Sequence, residues 1–167
     1  MRLIGALCCF LTCFLAGILA GKKEKQRTAE CEAFLTLFEY IKNQVDYFLA
    51  PTKVIYRNFE NEILSQTGFL EALCAHESDE VYFNAWQDAL NSCKGRFTLT
   101  KGQMEIVLAF GACIGKSHEK LQINSFEYYI KAMSAETARQ KDEMKKNMKL
   151  YRTLGFSIGA AIAILLI

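Results

Sequence analysis

The stretch from Gly111 to Ser117, GACIGKS, comes nearest in residue type and spacing to doing chemistry. A loop that cradles nucleotide phosphates has four residues between its first glycine and Gly-Lys-Ser. It follows a buried strand and opens a helix, so that backbone amides point at the phosphates. Here three residues intervene, the position that needs glycine is Phe110, and the segment closes an amphipathic helix carrying Met104, Val107, Leu108, Gly111 and Ile114. These residues are therefore expected to shape a corner between helices. Gly111 admits a neighbouring helix, Gly115 ends its own helix in a left-handed turn, and Ser117 caps the next. His76 and His118 are distant in sequence, and neither stands in the carboxylate–cysteine pattern of nucleophilic catalysis, so each reads as a surface histidine. The seven cysteines are odd in number and show no CxxC spacing, which argues against a disulfide framework or a zinc site and for thiols in a reducing compartment. No catalytic residue, metal or cofactor is expected.

The elements that position this corner are helices. The chain has one proline and ten glycines in 167 residues, so long helices are favoured. Phe34, Leu37, Phe38, Ile41, Val45 and Phe48 form an apolar stripe at helical spacing. Ala50-Pro51 ends that helix, and Pro51 opens another over about residues 52–66. Thr67-Gly68 makes a turn before the short helical FLEALCA. Ser78 or Asp79 caps a helix through VYFNAWQDALNSC, and Thr100 and Gln103 have capping-box spacing. A long helix over 118–152 carries a seam of Phe126, Ile130, Met133, Thr137, Met144 and Met148. The expected class is all-α, an antiparallel helix bundle with a membrane helix at each end.

The membrane expectation rests on the chain ends. Leu3 to Ala20 is uncharged and as a helix would cover roughly 27 Å, close to a bilayer core. Leu154 to Ile167 is also uncharged. Lys22, Lys23, Lys25 and Arg27 follow the first run, and Lys145, Lys146, Lys149 and Arg152 precede the second. Basic clusters on the body side of both runs place the body in the cytosol. The divisions are residues 1–21 as anchor, 22–152 as cytosolic helical domain, and 153–167 as C-terminal membrane segment. The competing reading of the first run is a cleaved secretory signal, which the basic residues that follow it disfavour. Gly17 with Gly21, and Gly155 with Gly159, have the spacing that permits close helix contact in lipid.

FNAWQDAL, then LAFGACIGKSHEKLQ, then a long charged helix ending YRTLGFSIGAAIAILL, together resemble the stage III sporulation protein AB family of endospore-forming bacteria. The resemblance covers residues 30–167. It maps the family's tryptophan onto Trp86, its corner onto Phe110, Gly111, Ile114 and Gly115 with Ser117 following, and its helix-start glutamine onto Gln122. Two positions depart from the family pattern. Ala50-Pro51-Thr52 stands where Thr-Pro-Leu is usual, and His118 where aspartate is usual. The resemblance implies a non-enzymatic membrane component on the mother-cell side, in the outer forespore membrane, of a secretion-like channel. It also implies a cytosolic domain similar in fold to the inner-membrane platform protein of type II secretion and type IV pili. The implied partners are other channel proteins of the same operon, including a secretion-type ATPase and ring-forming membrane proteins, with no nucleic acid and no small-molecule substrate. The alternative is a membrane-anchored nucleotide-binding enzyme or switch using residues 111–117.

Charge placement adds one candidate surface. Between Arg57 and Lys94 there is no lysine or arginine, but there are Glu60, Glu62, Glu71, Glu77, Asp79, Glu80 and Asp88. This is either a solvated face or a docking surface for a basic partner.

Overall fold

The computed structural model describes the backbone of residues 2–48, 52–75, 83–114 and 119–166; within these, the side chains of 2–10, 13, 14, 46–48, 52, 53, 119–121, 152, 155, 159, 163, 165 and 166 are outside the described set. The described residues form seven helices and no strand: α1 (Arg2–Phe48), α2 (Thr52–Arg57), α3 (Glu62–Gln66), α4 (Phe69–Cys74), α5 (Phe83–Ser92), α6 (Lys101–Cys113) and α7 (Glu119–Leu166). At 1.5 Å per residue, α1 and α7 are each about 70 Å long. Contacts divide the chain into two compact units: a core unit, Ala29–Ala138, and a terminal unit of Met1–Thr28 with Arg139–Ile167.

The core unit is built on aromatic rings. Phe34, Leu37, Phe38 and Ile41 of α1 are fully buried, as the apolar stripe requires. Phe110 of α6 lies between two rings, 3.8 Å from Phe38 with planes 4° apart and 4.8 Å from Phe126 of α7. Phe69 of α4 meets Phe34 at 5.5 Å and Trp86 of α5 at 5.2 Å, edge to face. Five helices thus converge on one set of rings. Each such burial contributes about 1.5–3 kcal/mol, and favourable ring geometry about 0.5–1.5 kcal/mol more. Across one side of the unit, Lys42 of α1 pairs with Glu127 of α7 at 2.8 Å, and the Lys42 ammonium holds the Glu127 carboxyl below its ordinary range.

Local signals set the connections. The single helix expected over 52–66 is instead two. After α2, Phe59 turns into the core, and Asn61 adopts an extended backbone whose side-chain oxygen accepts from Leu64 N at 3.1 Å. Asparagine is a poor helix interior and a strong N-cap, and Glu62 behind it suits the positive end of α3. Gly68, at φ +78°, supplies the left-handed turn into α4, and Arg96 Nη1 donates to the adjacent Thr67 carbonyl at 3.0 Å. At α6 both bonds of the capping box form: Thr100 Oγ1 accepts from Gln103 N at 3.3 Å, and Gln103 Oε1 accepts from Thr100 N at 3.0 Å. The turn expected at Ala50-Pro51 and the cap expected at Ser78 or Asp79 lie outside the described residues.

The terminal unit pairs α1 and α7 antiparallel. Gly21 faces Met148, and Thr28 Oγ1 approaches Met144 Sδ at 3.6 Å. Glu24 accepts from Gln140 Nε2 at 2.7 Å, and Gln140 is fully buried. A methyl group on Gly21 would meet Met148 Cγ at 3.7 Å, an ordinary contact, so this glycine is not required for close approach. Side chains at Gly155 and Gly159 are outside the described set. Among the described residues no helix is long and apolar enough to cross a membrane. Much of the run from Leu3 to Ala20, and part of that from Leu154 to Ile167, falls on side chains outside that set.

Candidate functional site

The corner around Gly111 is assembled from α5 and α6. Trp86 is fully buried, and its Nε1 donates to the carbonyl of Val107, one turn before Gly111, at 3.1 Å. The indole lies so close that a Cβ at Gly111 would sit 2.5 Å from its Cγ and Nε1. Glycine is present because an aromatic ring rests on the helix backbone. Gly111 is within α6, and Ile114 N closes the helix by donating to the Gly111 carbonyl at 3.2 Å. This arrangement packs a ring where a phosphate loop would present amides. Gln122 is half-buried on α7, while Gly115, Ser117 and His118 lie outside the described residues.

Alanine at Gly111 tests this packing by its sign. Helix propensity favours alanine by about 1 kcal/mol, whereas overpacking costs about 1–3 kcal/mol. A fully buried, hydrogen-bonded indole cannot yield cheaply, so the variant is expected to be less stable by about 1–2 kcal/mol. Urea unfolding followed by Trp86 fluorescence reads the difference, and a variant more stable than the parent contradicts the packing account.

The acidic candidates are surface groups. Glu60, Glu62, Glu71 and Asp88 are exposed, and Glu77, Asp79 and Glu80 lie outside the described residues. Glu62 accepts from Gln66 one turn on, at 3.0 Å. Glu60 and Glu71 share a cleft of about 260 Å³ among α2, α3 and α4, lined also by Tyr56, Arg57, Phe59 and Leu70. Of the basic candidates, Lys22, Lys23, Lys25, Lys145, Lys146 and Lys149 are exposed. Arg27 differs: it is largely covered and engages Glu24 at 3.4 Å. The side chain of Arg152 is outside the described set.

Three features of the site chemistry were missed in the sequence. Glu30 of α1 is fully buried and accepts from Thr98 N at 2.7 Å and Thr98 Oγ1 at 3.0 Å. Its spacing of four residues from Phe34 and seven from Leu37 puts it on the buried stripe, a signal masked by its charge. Tyr56 is buried with a hydroxyl that has no hydrogen-bond partner among the described residues; burial, with the Cys74 thiol adding, pushes its phenol above the usual range. Nothing in the sequence announces this. Cys93 is buried, and burial pushes its thiol up and so disfavours the nucleophilic thiolate, against the opposing field of Arg96. Among the described residues no group of three or more His, Cys, Asp or Glu side chains is placed to hold a metal ion.

The family model described as stage III sporulation protein AB matches residues 2–167. No curated protein and no solved structure matches the chain.

Proposed function

The chain belongs to the stage III sporulation protein AB family, a sporulation family, and from that premise we propose that it is a non-enzymatic platform in a secretion-like channel between mother cell and forespore. It is held in the membrane by its terminal unit, with the core unit in the cytosol to grip other channel proteins. Those partners include a secretion-type ATPase and ring-forming membrane proteins. The observation that carries this reading is where apolar surface is left uncovered. Among the described residues, nine of the eleven exposed large hydrophobic side chains belong to the terminal unit. Leu15, Leu19, Leu154, Phe156 and Ile158 are each about half exposed or more. Two helices that turn leucines and phenylalanine outward match lipid better than water. Exposed lysines 22, 23, 25, 145, 146 and 149 then collar this apolar surface at the level of anionic headgroups. The nucleotide-switch alternative has no such support, since Gly111 is occupied by the Trp86 ring.

Protease protection of a tag inserted at Gly95, in an exposed turn of the core unit, tests the topology. The tag is expected to survive in intact protoplasts and be cleaved after lysis; cleavage in intact protoplasts would place the body outside and end the proposal.

A further inference from the structure

We propose that the lysines of α1 and α7 in the terminal unit form one binding collar that selects anionic over zwitterionic phospholipids. The inference rests on the membrane placement proposed above and names the lipid chemistry that the terminal unit recognises.

The two basic clusters stand near opposite ends of the sequence, and antiparallel pairing brings them to one level. Gly21 faces Met148, and Thr28 Oγ1 approaches Met144 Sδ at 3.6 Å. These two cross-helix contacts bracket Lys22, Lys23 and Lys25 on α1 and Lys145 and Lys146 on α7, with Lys149 directly after. Six exposed lysines are therefore rooted within about two helical turns.

Neighbouring carboxylates do little to offset them. Glu24, in the midst of the α1 cluster, is turned away: it accepts from Nε2 of the fully buried Gln140 at 2.7 Å and engages Arg27 at 3.4 Å. Glu143 is taken by Arg139 at 3.1 Å. Asp142 reaches Lys145 only at 4.0 Å, with both side chains more than two-thirds exposed, a pairing that solvent leaves weak. Among the described residues no carboxylate lies within ion-pair distance of Lys22, Lys23, Lys25, Lys146 or Lys149. Like charges gathered in this way make a positive field that an outside anion relieves.

The surface next to the collar selects the kind of anion. On its side toward the chain ends, Leu19 is 64% exposed and Leu150 54%. An occupant that satisfies both surfaces carries a phosphate beside acyl chains, which neither a nucleic acid nor a free phosphate does. Lysine stems lie along apolar surface while their ammonium groups reach the headgroups. In phosphatidylcholine the headgroup's own ammonium neutralises the phosphate, whereas phosphatidylglycerol keeps a net negative charge for the collar to bind.

The test reconstitutes the full chain in phosphatidylcholine bilayers carrying spin-labelled phosphatidylglycerol or spin-labelled phosphatidylcholine. Electron spin resonance measures how much of each label is immobilised at the protein surface. Phosphatidylglycerol is expected to be preferred by about fivefold at low salt and by less than about twofold at high salt. Lys22→Gln, Lys23→Gln and Lys25→Gln together should remove most of the preference, and so should Lys145→Gln, Lys146→Gln and Lys149→Gln together. Arginine at the same six positions should keep it. Lys94→Gln with Lys101→Gln, exposed lysines of the core unit, should leave it unchanged. Equal immobilisation of the two lipids by the parent chain overturns the proposal. So does a preference that survives neutralisation of either cluster, or one lost equally in the Lys94 and Lys101 variant. Displacement of labelled phosphatidylglycerol by a single-stranded oligonucleotide would assign the collar to nucleic acid and overturn it as well. Immobilisation of neither lipid overturns the proposal together with the membrane placement, whereas equal immobilisation of both overturns the proposal alone.

Discussion

Replacing Phe110 with alanine is expected to destabilise the core unit by about 3–5 kcal/mol, the largest loss at any single position considered. The ring is fully buried and is shared by two stacks, with Phe38 at 3.8 Å and Phe126 at 4.8 Å. Its removal takes the filling from a point where α1, α6 and α7 meet. Trp86, the chain's only tryptophan, lies 6.1 Å away and belongs to the same unit. Its fluorescence therefore reports unfolding of the core unit separately from the terminal one. A drop of the urea midpoint corresponding to less than about 1.5 kcal/mol would mean that neighbouring rings close the gap, contrary to the packing described.

Removing the carboxyl of Glu30 should have the next largest effect, a loss of about 2–4 kcal/mol in Glu30→Ala. That carboxylate is fully buried and accepts both the amide and the hydroxyl of Thr98, tying the connector before α6 to α1. A buried donor left without its acceptor costs about 1–3 kcal/mol, and the truncation takes this acceptor from both the Thr98 amide and the Thr98 hydroxyl. Glu30→Gln keeps an acceptor oxygen but sets an amide nitrogen in the same pocket, so an intermediate loss is expected. Faster hydrogen exchange at the Thr98 amide in both variants, graded Ala over Gln, verifies the mechanism. Unchanged exchange would show that the connector is held by other contacts.

Much of the fold could be read without coordinates because its strongest signals are local. The stripe Phe34, Leu37, Phe38 and Ile41 repeats at the helical period, and all four are buried. Thr100 with Gln103 announces the start of α6 by a cap whose two bonds both form. The close approach at Gly111 was legible for a related reason, since a phosphate loop needs a preceding strand and this sequence supplies a helix, whereas the turn at Gly115 and the cap at Ser117 lie outside the described residues. The break within 52–66 was missed because the 3.6-residue pattern continues across it; Asn61 followed by Glu62 was the available cap signal. The boundaries of the two units could not be read, because α1 and α7 cross them as unbroken helices. The cleft beneath Glu60 and Glu71 depends on how three short helices meet, which no one-dimensional pattern encodes.

The ring stack has a consequence for how the chain is made. Phe38 must wait for Phe110, and Phe110 for Phe126, although α3, α4 and α5 can begin to organise from neighbours close in sequence. At ribosomal speeds of about 5–20 residues per second, roughly 4–14 s separate the synthesis of Phe38 from that of Phe110. Throughout that interval Phe38 on the nascent α1 lacks its stacking partner, while Phe34 can be met earlier by Phe69 of α4. A chain halted before α6 is accordingly expected to recruit holdase chaperones or aggregate, while one halted after Phe126 escapes both fates.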